Sequence, residues 1–145
     1  MVRRSVNLIP KAPVSVMVDL AVAAEQLGFE RCWVYDEGLA TRDVHITMAA
    51  ILLATDRLKV GPGVTNAYTR HPGQTAAAIA SLDELSGGRA FLGLGAGGSL
   101  TLDPLAIGRD RPLETVRQAI VACRSLFAGA TVDMDGPGFS LRAAS

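Results

Sequence analysis

A regular alternation of short apolar runs with longer segments of helical periodicity constrains the fold of this chain more than any other feature. The apolar runs predict four strands, at residues 6–9, 32–35, 58–61 and 90–94. Each run precedes a predicted helix, and these helices begin near Ser15, Asp43, His71 and Pro112. Strands that alternate with helices form parallel sheets with right-handed crossovers. Two architectures are therefore compatible with this pattern: a doubly wound open sheet and an eight-stranded barrel.

The apolar periodicity also predicts which helix faces are buried. The first helix is expected to bury Val16, Leu20, Ala24 and Leu27, and the third to bury Ile79, Leu82 and Leu85. The fourth is expected to bury Leu113, Val116, Ile120, Cys123 and Phe127. Beyond it, two short alternating segments flank Gly136-Pro137-Gly138 and predict a hairpin within residues 131–143.

Charge and hydropathy exclude two classes of partner. The chain has 14 basic and 14 acidic residues and no basic stripe, which argues against nucleic acid. Its longest apolar run, residues 48–54, is far shorter than the roughly 20 residues that span a bilayer. Prolines interrupt the first segment, so we expect no signal peptide and a cytoplasmic protein. Cys32 and Cys123 lack metal-ligand spacing and are expected to be buried packing residues.

Polar residues and glycines follow three of the predicted strands, at the sheet edge where α/β proteins bind ligands. Asp36-Glu37 follows the second strand, and a carboxylate there can accept a hydrogen bond or move a proton. The alternative is that Asp36 caps a turn and Glu37 is solvated. After the third strand, glycines around Pro62 permit a bulge against a flat ligand, or form an ordinary turn.

The spacing Gly93-x-Gly95-x-x-Gly98 matches the dinucleotide fingerprint, but its context does not. The match follows the fourth strand, not the first, and no helical periodicity is evident before Pro112. A glycine-lined floor under a ring or phosphate fits better. We expect His71 to be a cap or packing residue and His45 to be structural. No spacing of His, Cys, Asp or Glu indicates a metal site.

These loops together resemble a known family. The segments that carry the resemblance are residues 60–72 (VGPGVTNAYTRHP), 82–89 (LDELSGGR) and 92–99 (LGLGAGGS). They are similar to the luciferase-like oxidoreductases, and within that family to the branch of methylenetetrahydromethanopterin reductase, which uses the deazaflavin coenzyme F420. The resemblance extends over nearly the whole chain.

The resemblance implies a (β/α)₈ barrel and hydride transfer between a reduced cofactor and a small organic substrate. Coenzyme F420 is the expected cofactor and FMN the alternative. Asp36 and Glu37 would lie near the ring and substrate. A bulge with a non-prolyl cis peptide at Gly63-Val64 would back the ring. The other expected cofactor contacts are Thr65 and Asn66 at the ring edge and Gly95, Ala96, Gly97 and Gly98 along the cofactor tail.

The family continues for four further strand–helix units, so this chain is expected to be the N-terminal half of such a barrel with a C-terminal hairpin, one partial domain over residues 1–145. Such a half would expose sheet edges and apolar helix faces. We therefore expect self-association or pairing with a second half-barrel, and weak or no activity alone. A rival hypothesis is a non-catalytic half-barrel that acts as a partner subunit or is a remnant. A free-standing nucleotide binder is disfavoured because Pro10-Lys11-Ala12-Pro13 occupies its glycine loop.

Overall fold

The structure, a computed structural model, describes residues 4–145. Its strands are β1 (Ser5–Leu8), β2 (Arg31–Val34), β3 (Lys59–Pro62), β4 (Thr65–Asn66), β5 (Leu94–Gly95), β6 (Val132–Asp135) and β7 (Ser140–Ala144). Its α-helices are α1 (Val14–Gln26), α2 (Val44–Ala54), α3 (Pro72–Ser86), α4 (Ser99–Leu102) and α5 (Pro112–Phe127). Short 3₁₀ turns lie at Gly38–Ala40 and Asp103–Leu105. No helix within residues 4–145 is both long and apolar enough to cross a membrane.

The first three strands form one parallel sheet in the order β1-β2-β3. Val6 pairs with Cys32, and Cys32 pairs in turn with Val60. The predicted α/β fold with parallel strands is confirmed, with strand limits displaced by about one residue. The carboxyl ends of these strands therefore meet at one edge, and the loops that follow them are neighbours.

The chain bulges after β3, where the peptide between Gly63 and Val64 is cis, as the resemblance implied. Beyond the bulge, β4 pairs with β5 in a separate parallel pair. The predicted strand at residues 90–94 is therefore wrong in extent: Ala90 bridges to Val60, and only Leu94 and Gly95 continue as a strand. The bulge interrupts the regular spacing of ladder partners, so one continuous fourth strand cannot pair with both β3 and β4.

Two helices begin with side-chain caps at the residues near which the sequence predicts their start. The Asp43 side chain accepts hydrogen bonds from the N–H groups of His45 and Ile46, at 2.9 and 3.0 Å. The His71 Nδ1 accepts from the Gly73 N–H at 3.1 Å, and its Nε2 lies 3.0 Å from the Ser140 carbonyl oxygen. His71 is thus a cap, as predicted, and it also links α3 to the hairpin.

The predicted helix faces are partly wrong. In α1 the buried residues are Met17, Ala21 and Ala24, whereas Val16, Leu20 and Leu27 are exposed. In α3, Ile79 and Leu82 are buried but Leu85 is exposed. In α5 the buried residues are Thr115, Ala119, Ala122 and Cys123, whereas Leu113 and Phe127 are exposed. Small residues let a helix approach its neighbours closely, so they mark the packed faces of α1 and α5.

Packing behind the bulge depends on a glycine. The rings of Trp33 and Phe91 meet edge to face with centroids 4.6 Å apart. A Cβ atom at Gly61 would overlap the Phe91 ring. Phe91 therefore occupies the space that the missing side chain of residue 61 leaves.

Arg89 joins the amino-terminal side of the sheet to two helices. Its guanidinium donates to the carbonyl oxygens of Ser86 at 2.9 Å, Leu52 at 2.8 Å and Leu58 at 3.2 Å, and to the Thr55 hydroxyl at 3.3 Å. Ser86 is the last residue of α3, and Leu52 lies in the last turn of α2. A cation is favourable beside these carbonyl groups because helix C-termini carry partial negative charge.

Two features follow the fourth strand. The predicted hairpin is confirmed: β6 and β7 pair antiparallel, with a register shift between Val132 and Met134. The expectation of no helix before Pro112 is wrong, because α4 begins at Ser99 directly after Gly98. A helix of four residues is too short to show apolar periodicity, so the sequence pattern does not reveal it.

Candidate active site

A cleft of about 500 Å³ lies at the carboxyl edge of the strands. Three chain segments line it: residues 35–37 directly after β2, the bulge with Asn66, and the glycine loop with the first residues of α4. Eight of the ten predicted site residues line this cleft: Asp36, Glu37, Gly63, Val64, Asn66, Ala96, Gly97 and Gly98. The other two, Thr65 and Gly95, are immediate neighbours of lining residues. Positions up to 62 residues apart in sequence are therefore brought together.

The Asp36 carboxylate is oriented by a side chain from another strand. The Thr65 hydroxyl donates to its Oδ2 at 2.6 Å. Thr65 is fully buried and Asp36 half-buried, so the hydrogen bond runs from the core to the cleft wall. Thr65 thus turns inward, towards Asp36. The second carboxylate oxygen of Asp36 remains available to a ligand or a proton.

Glu37 is less constrained. Its backbone N–H donates to the Thr41 hydroxyl at 3.3 Å, which closes a tight turn. Its carboxylate has no hydrogen bond or ion pair with any residue that the structure describes. Asp36 is consequently the better oriented of the two acids.

The bulge presents an apolar wall to the cleft. The Val64 side chain is 45% exposed, and its Cγ2 lies 2.6 Å from where a Cβ at Gly95 would be. Behind the bulge, a Cβ at Gly63 would lie 2.8 Å from the Trp33 Cβ. Glycines on both sides therefore let the bulge sit between Trp33 and the glycine loop, with Val64 facing the cleft.

Asn66 is committed to the backbone. Its Oδ1 accepts from the N–H groups of Tyr68 and Thr69, each at 2.9 Å, and from the Thr69 hydroxyl at 3.2 Å. Asn66 is only 2% exposed. The side-chain oxygen of Asn66 therefore stabilises the turn after β4. Only its Nδ2 is left to contact the ring edge of a bound cofactor.

The glycine loop offers a cradle for a flat or anionic group. The N–H groups of Gly97 and Gly98 donate to no backbone or side-chain acceptor among residues 4–145. No atom lies within 4 Å of where a Cβ at Gly98 would be. Open space beside free N–H groups suits a ring or phosphate, so these residues fit the cofactor that the resemblance implies.

Titratable and charged side chains lie close together at the start of α2, near the cleft. His45 is buried, and neither ring nitrogen has a hydrogen-bond partner in the described chain. Burial, reinforced by the nearby Arg70 guanidinium, lowers the pKa of His45, while Asp43 and Asp36 oppose that shift. His45 is therefore held neutral. The Arg70 guanidinium and the Asp43 carboxylate form an ion pair at 2.9 Å, which joins the loop before α3 to the loop before α2.

The cysteines and acids give no second reactive centre. Burial raises the pKa of Cys32 to about 12 and that of Cys123 to about 11, so both stay protonated thiols at neutral pH. No cluster of three or more metal-ligating side chains occurs within residues 4–145. A larger groove of about 720 Å³ lies between α3 and α5, away from Asp36, and its lining is largely apolar. The smaller cleft is the candidate site because it combines polar groups with the glycine cradle.

Sequence reasoning missed several residues at this site, among them three that line the cleft at the start of α4: Ser99, Leu100 and Thr101. Tyr35 lines the cleft beside Asp36, and Trp33 supports the bulge from behind. Arg109 donates to the Gly97 carbonyl at 2.7 Å across 12 residues of chain. Trp33 and Tyr35 could have been predicted to face the same side of the sheet, because successive side chains alternate along a strand. Nothing local in the sequence signals the contact of Arg109.

The chain is similar to known proteins over most of its length. The profile of the luciferase-like monooxygenases matches residues 2–145. The 5,10-methylenetetrahydromethanopterin reductase of Methanolobus tindarius is 43% identical over 131 residues, which cover 90% of this chain and 40% of that protein. An F420-dependent glucose-6-phosphate dehydrogenase of Beutenbergia cavernae is 35% identical over 86% of this chain and 40% of its own length.

A solved structure shares the fold. The coenzyme F420-dependent tetrahydromethanopterin reductase of Methanopyrus kandleri superposes with a TM-score of 0.91 at 29% identity, over 99% of this chain and 45% of that one. The chain thus spans roughly two-fifths of the length of the curated relatives it matches.

Proposed function

This chain belongs to the luciferase-like monooxygenase family, and on that premise we propose that it carries the cofactor-binding face of an oxidoreductase that transfers hydride between reduced coenzyme F420 and a small organic substrate. One observation carries the proposal: the Asp36 carboxylate, the apolar bulge at Val64 and the glycine loop line a single cleft. Two relatives that bear F420 in their names support the choice of cofactor.

Each part of the cleft has a distinct role in that reaction. When bound, the deazaflavin supplies or accepts a hydride at its ring. Val64 and the bulge back one face of the ring, so transfer is confined to the other face. Asp36, with one oxygen fixed by Thr65, holds or moves the proton that accompanies hydride transfer. Glu37 lies beside Asp36 and can contact the substrate.

A fluorescence titration of the chain with F420 and with FMN tests the choice of cofactor. We expect tighter binding of F420, and tighter binding of FMN would overturn that choice.

Val64→Ala is expected to weaken binding because it removes the apolar backing of the ring. Val121→Ala is the matched control, since Val121 has nearly the same exposure but lies on α5 outside the cleft lining. Equal effects of both variants would argue against the bulge as the ring site.

A second candidate function is that of a partner subunit, in which the chain forms half of an eightfold barrel and pairs with a second half. The groove between α3 and α5 favours it, because Phe91, Leu126 and Phe127 line an apolar surface large enough to receive another element. Light scattering coupled to gel filtration, with parallel cofactor titrations, separates the candidates. A stable dimer without affinity for F420 or FMN would favour the non-catalytic subunit, whereas cofactor binding would favour the oxidoreductase.

A further inference from the structure

One face of the three-stranded sheet is turned away from the helices. Cys32 and Val60 are fully buried on the helix side of β2 and β3, where they belong to the core that α1 and α2 complete. Because successive side chains alternate between the two faces of a strand, the residues beside them lie on the opposite face. This inner face consists of Ser5, Asn7, Arg31, Trp33 and Lys59, each of them exposed or half-buried. In an eight-stranded barrel it would line the interior.

Two cations lie side by side at the amino end of the inner face. Arg31 and Lys59 are register partners on neighbouring strands, which places their backbones roughly 4.8 Å apart. Neither forms an ion pair with a carboxylate among residues 4–145. The Arg31 guanidinium instead lies over the Phe91 ring, 5.8 Å from its centroid. A cation–π contact leaves the positive charge in place, so both charges remain unbalanced.

The acids nearest to these cations do not neutralise them. Glu25 and Glu30 line the same cavity of about 490 Å³ as Arg31 and Lys59, but neither acid forms an ion pair with either cation. The Glu25 carboxylate accepts hydrogen bonds from the backbone N–H groups of residues 56–58 at 2.7–3.2 Å, so it is committed to the loop before β3. Arg57 adds a third cation to the lining. A surface that covers this end of the sheet therefore meets net positive charge.

The centre of the inner face is aromatic. Trp33 lies two residues after Arg31 and packs edge to face on Phe91, with centroids 4.6 Å apart, yet both rings stay partly exposed. On β1, Ser5 and Asn7 add exposed polar groups beside them. Tryptophan and arginine are enriched at the centres of protein interfaces, where polar residues form the rim. The composition of the inner face is thus that of a contact surface.

We propose that the inner face is covered by a half-barrel of different sequence, whose own inner face carries carboxylates opposite Arg31 and Lys59. A second copy of this chain does not fit, because all strands of a barrel run in the same direction and the amino ends of both copies would meet. Four unbalanced cations would then share one interior, and like charges across an interface oppose association. This inference rests on the second candidate function, since it specifies the partner half.

A charge-reversed form of the chain, Arg31→Glu with Lys59→Glu, serves as the acidic probe. The unmodified chain is labelled at its N-terminus, titrated at low ionic strength with each unlabelled form and followed by fluorescence-detected sedimentation. We expect it to bind the charge-reversed chain at least about tenfold more tightly than it binds its own unlabelled copy. Added NaCl should weaken the mixed pair and strengthen self-association of the unmodified chain, because it screens attraction and repulsion alike.

Two further variants show whether the inner face is responsible. Lys11→Glu with Arg117→Glu makes the same change in net charge at exposed positions outside the sheet, so it should bind the unmodified chain no more tightly than a second copy does. Arg31→Gln with Lys59→Gln removes the repulsion without reversing it and should self-associate more tightly than the unmodified chain. Circular dichroism and urea unfolding establish that each variant folds.

The other outcomes separate this inference from the proposed functions. If the unmodified chain binds its own copy as tightly as the charge-reversed chain, pairing stands and the charge assignment is wrong. If the Lys11 and Arg117 control binds as tightly as the charge-reversed chain, net charge and not the inner face is responsible, and the inference fails. If no form binds, the pairing candidate fails with it, while the F420 titration still decides the oxidoreductase. Should the charge-reversed chain not fold, self-association of the unmodified chain that weakens with NaCl would overturn the inference.

Discussion

The Thr65 hydroxyl donates a 2.6 Å hydrogen bond to Asp36 Oδ2, so a buried residue of β4 sets the orientation of the carboxylate that follows β2. Thr65→Val keeps the shape of the side chain and removes the donor. We expect a loss of about 1 kcal/mol in the free energy of unfolding and a several-fold loss of F420 affinity, since Asp36 becomes free to rotate. Thermal unfolding and fluorescence titration measure the two effects.

Thr65→Ser is the control for that prediction. Serine retains the hydroxyl, so the hydrogen bond to Asp36 and the F420 affinity should largely persist. A Thr65→Ser chain that binds F420 as weakly as Thr65→Val would contradict the prediction, because the hydroxyl alone would then not preserve binding.

Two glycines of the same loop should respond differently to alanine. A Cβ at Gly95 would lie 2.6 Å from Val64 Cγ2, so Gly95→Ala should displace the bulge and cost about 1–3 kcal/mol of stability. Gly98 has extended backbone geometry and no atom near its Cβ position, so Gly98→Ala should change stability by less than about 0.5 kcal/mol. Its methyl group should nevertheless weaken F420 binding, because Gly98 lines the cleft. Urea unfolding and ligand titration on both variants check this, and equal stability losses would contradict it.

Arg89 should contribute to stability without affecting the cleft. Arg89→Met keeps most of the apolar stem but removes the four hydrogen bonds that join α2, α3 and the approach to β3. We expect a loss of about 3 kcal/mol in the free energy of unfolding, because buried carbonyl oxygens lose a charged donor. Arg89→Lys should recover only part of this loss, since an ammonium cannot reproduce the planar fork. Variants that unfold at the same urea concentration as the unmodified chain would refute the role.

His45 should make the protein sensitive to mild acid. Because its pKa is lowered in the folded state, its ordinary value being 6.5, the unfolded chain binds the proton more readily. Above pH 6.5 His45 is neutral in both states, and the full stability of the protein is present. As the pH falls from 6.5 towards the folded pKa, the unfolded state takes up the proton first, so the free energy of unfolding decreases. His45→Leu should show a smaller loss of stability between pH 7.5 and pH 5. Identical pH profiles in urea unfolding would exclude His45 as the cause.

His45→Leu should also unfold at a higher temperature than the unmodified chain at neutral pH. Neither ring nitrogen has a partner in the described chain, and replacing an unsatisfied buried polar group with an apolar one removes a desolvation cost. A lower melting temperature at pH 7.5 would indicate that the imidazole makes a stabilising contact.

Local signals in the sequence were sufficient to predict most of the elements. Asp43 precedes an apolar run and caps α2, and His71-Pro72 begins α3 as proline in a first turn indicates. Gly136-Pro137-Gly138 marks the hairpin turn. In each case the decisive interaction lies within a few residues of the signal, so a short stretch of sequence contains the whole reason.

Features that depend on distant contacts were not predictable. In α1 apolar residues occupy several faces, and the packed face is selected by the small side chains of Ala21 and Ala24 against neighbouring elements. The same holds for Ala119 and Ala122 in α5. The contact between Arg109 and Gly97 depends on the path of a loop that carries no periodicity. A single sequence contains no local signal for such choices.

The glycine before the bulge has a consequence for how this family can vary. A Cβ atom at Gly61 would lie 2.4 Å from the Phe91 ring and 2.5 Å from the backbone carbonyl oxygen of the same residue. A smaller side chain at residue 91 would remove the first clash and leave the second, because the carbonyl oxygen belongs to the backbone. The two positions should therefore vary unequally in evolution: residue 91 can become smaller while residue 61 stays glycine, but residue 61 gains no freedom when residue 91 shrinks.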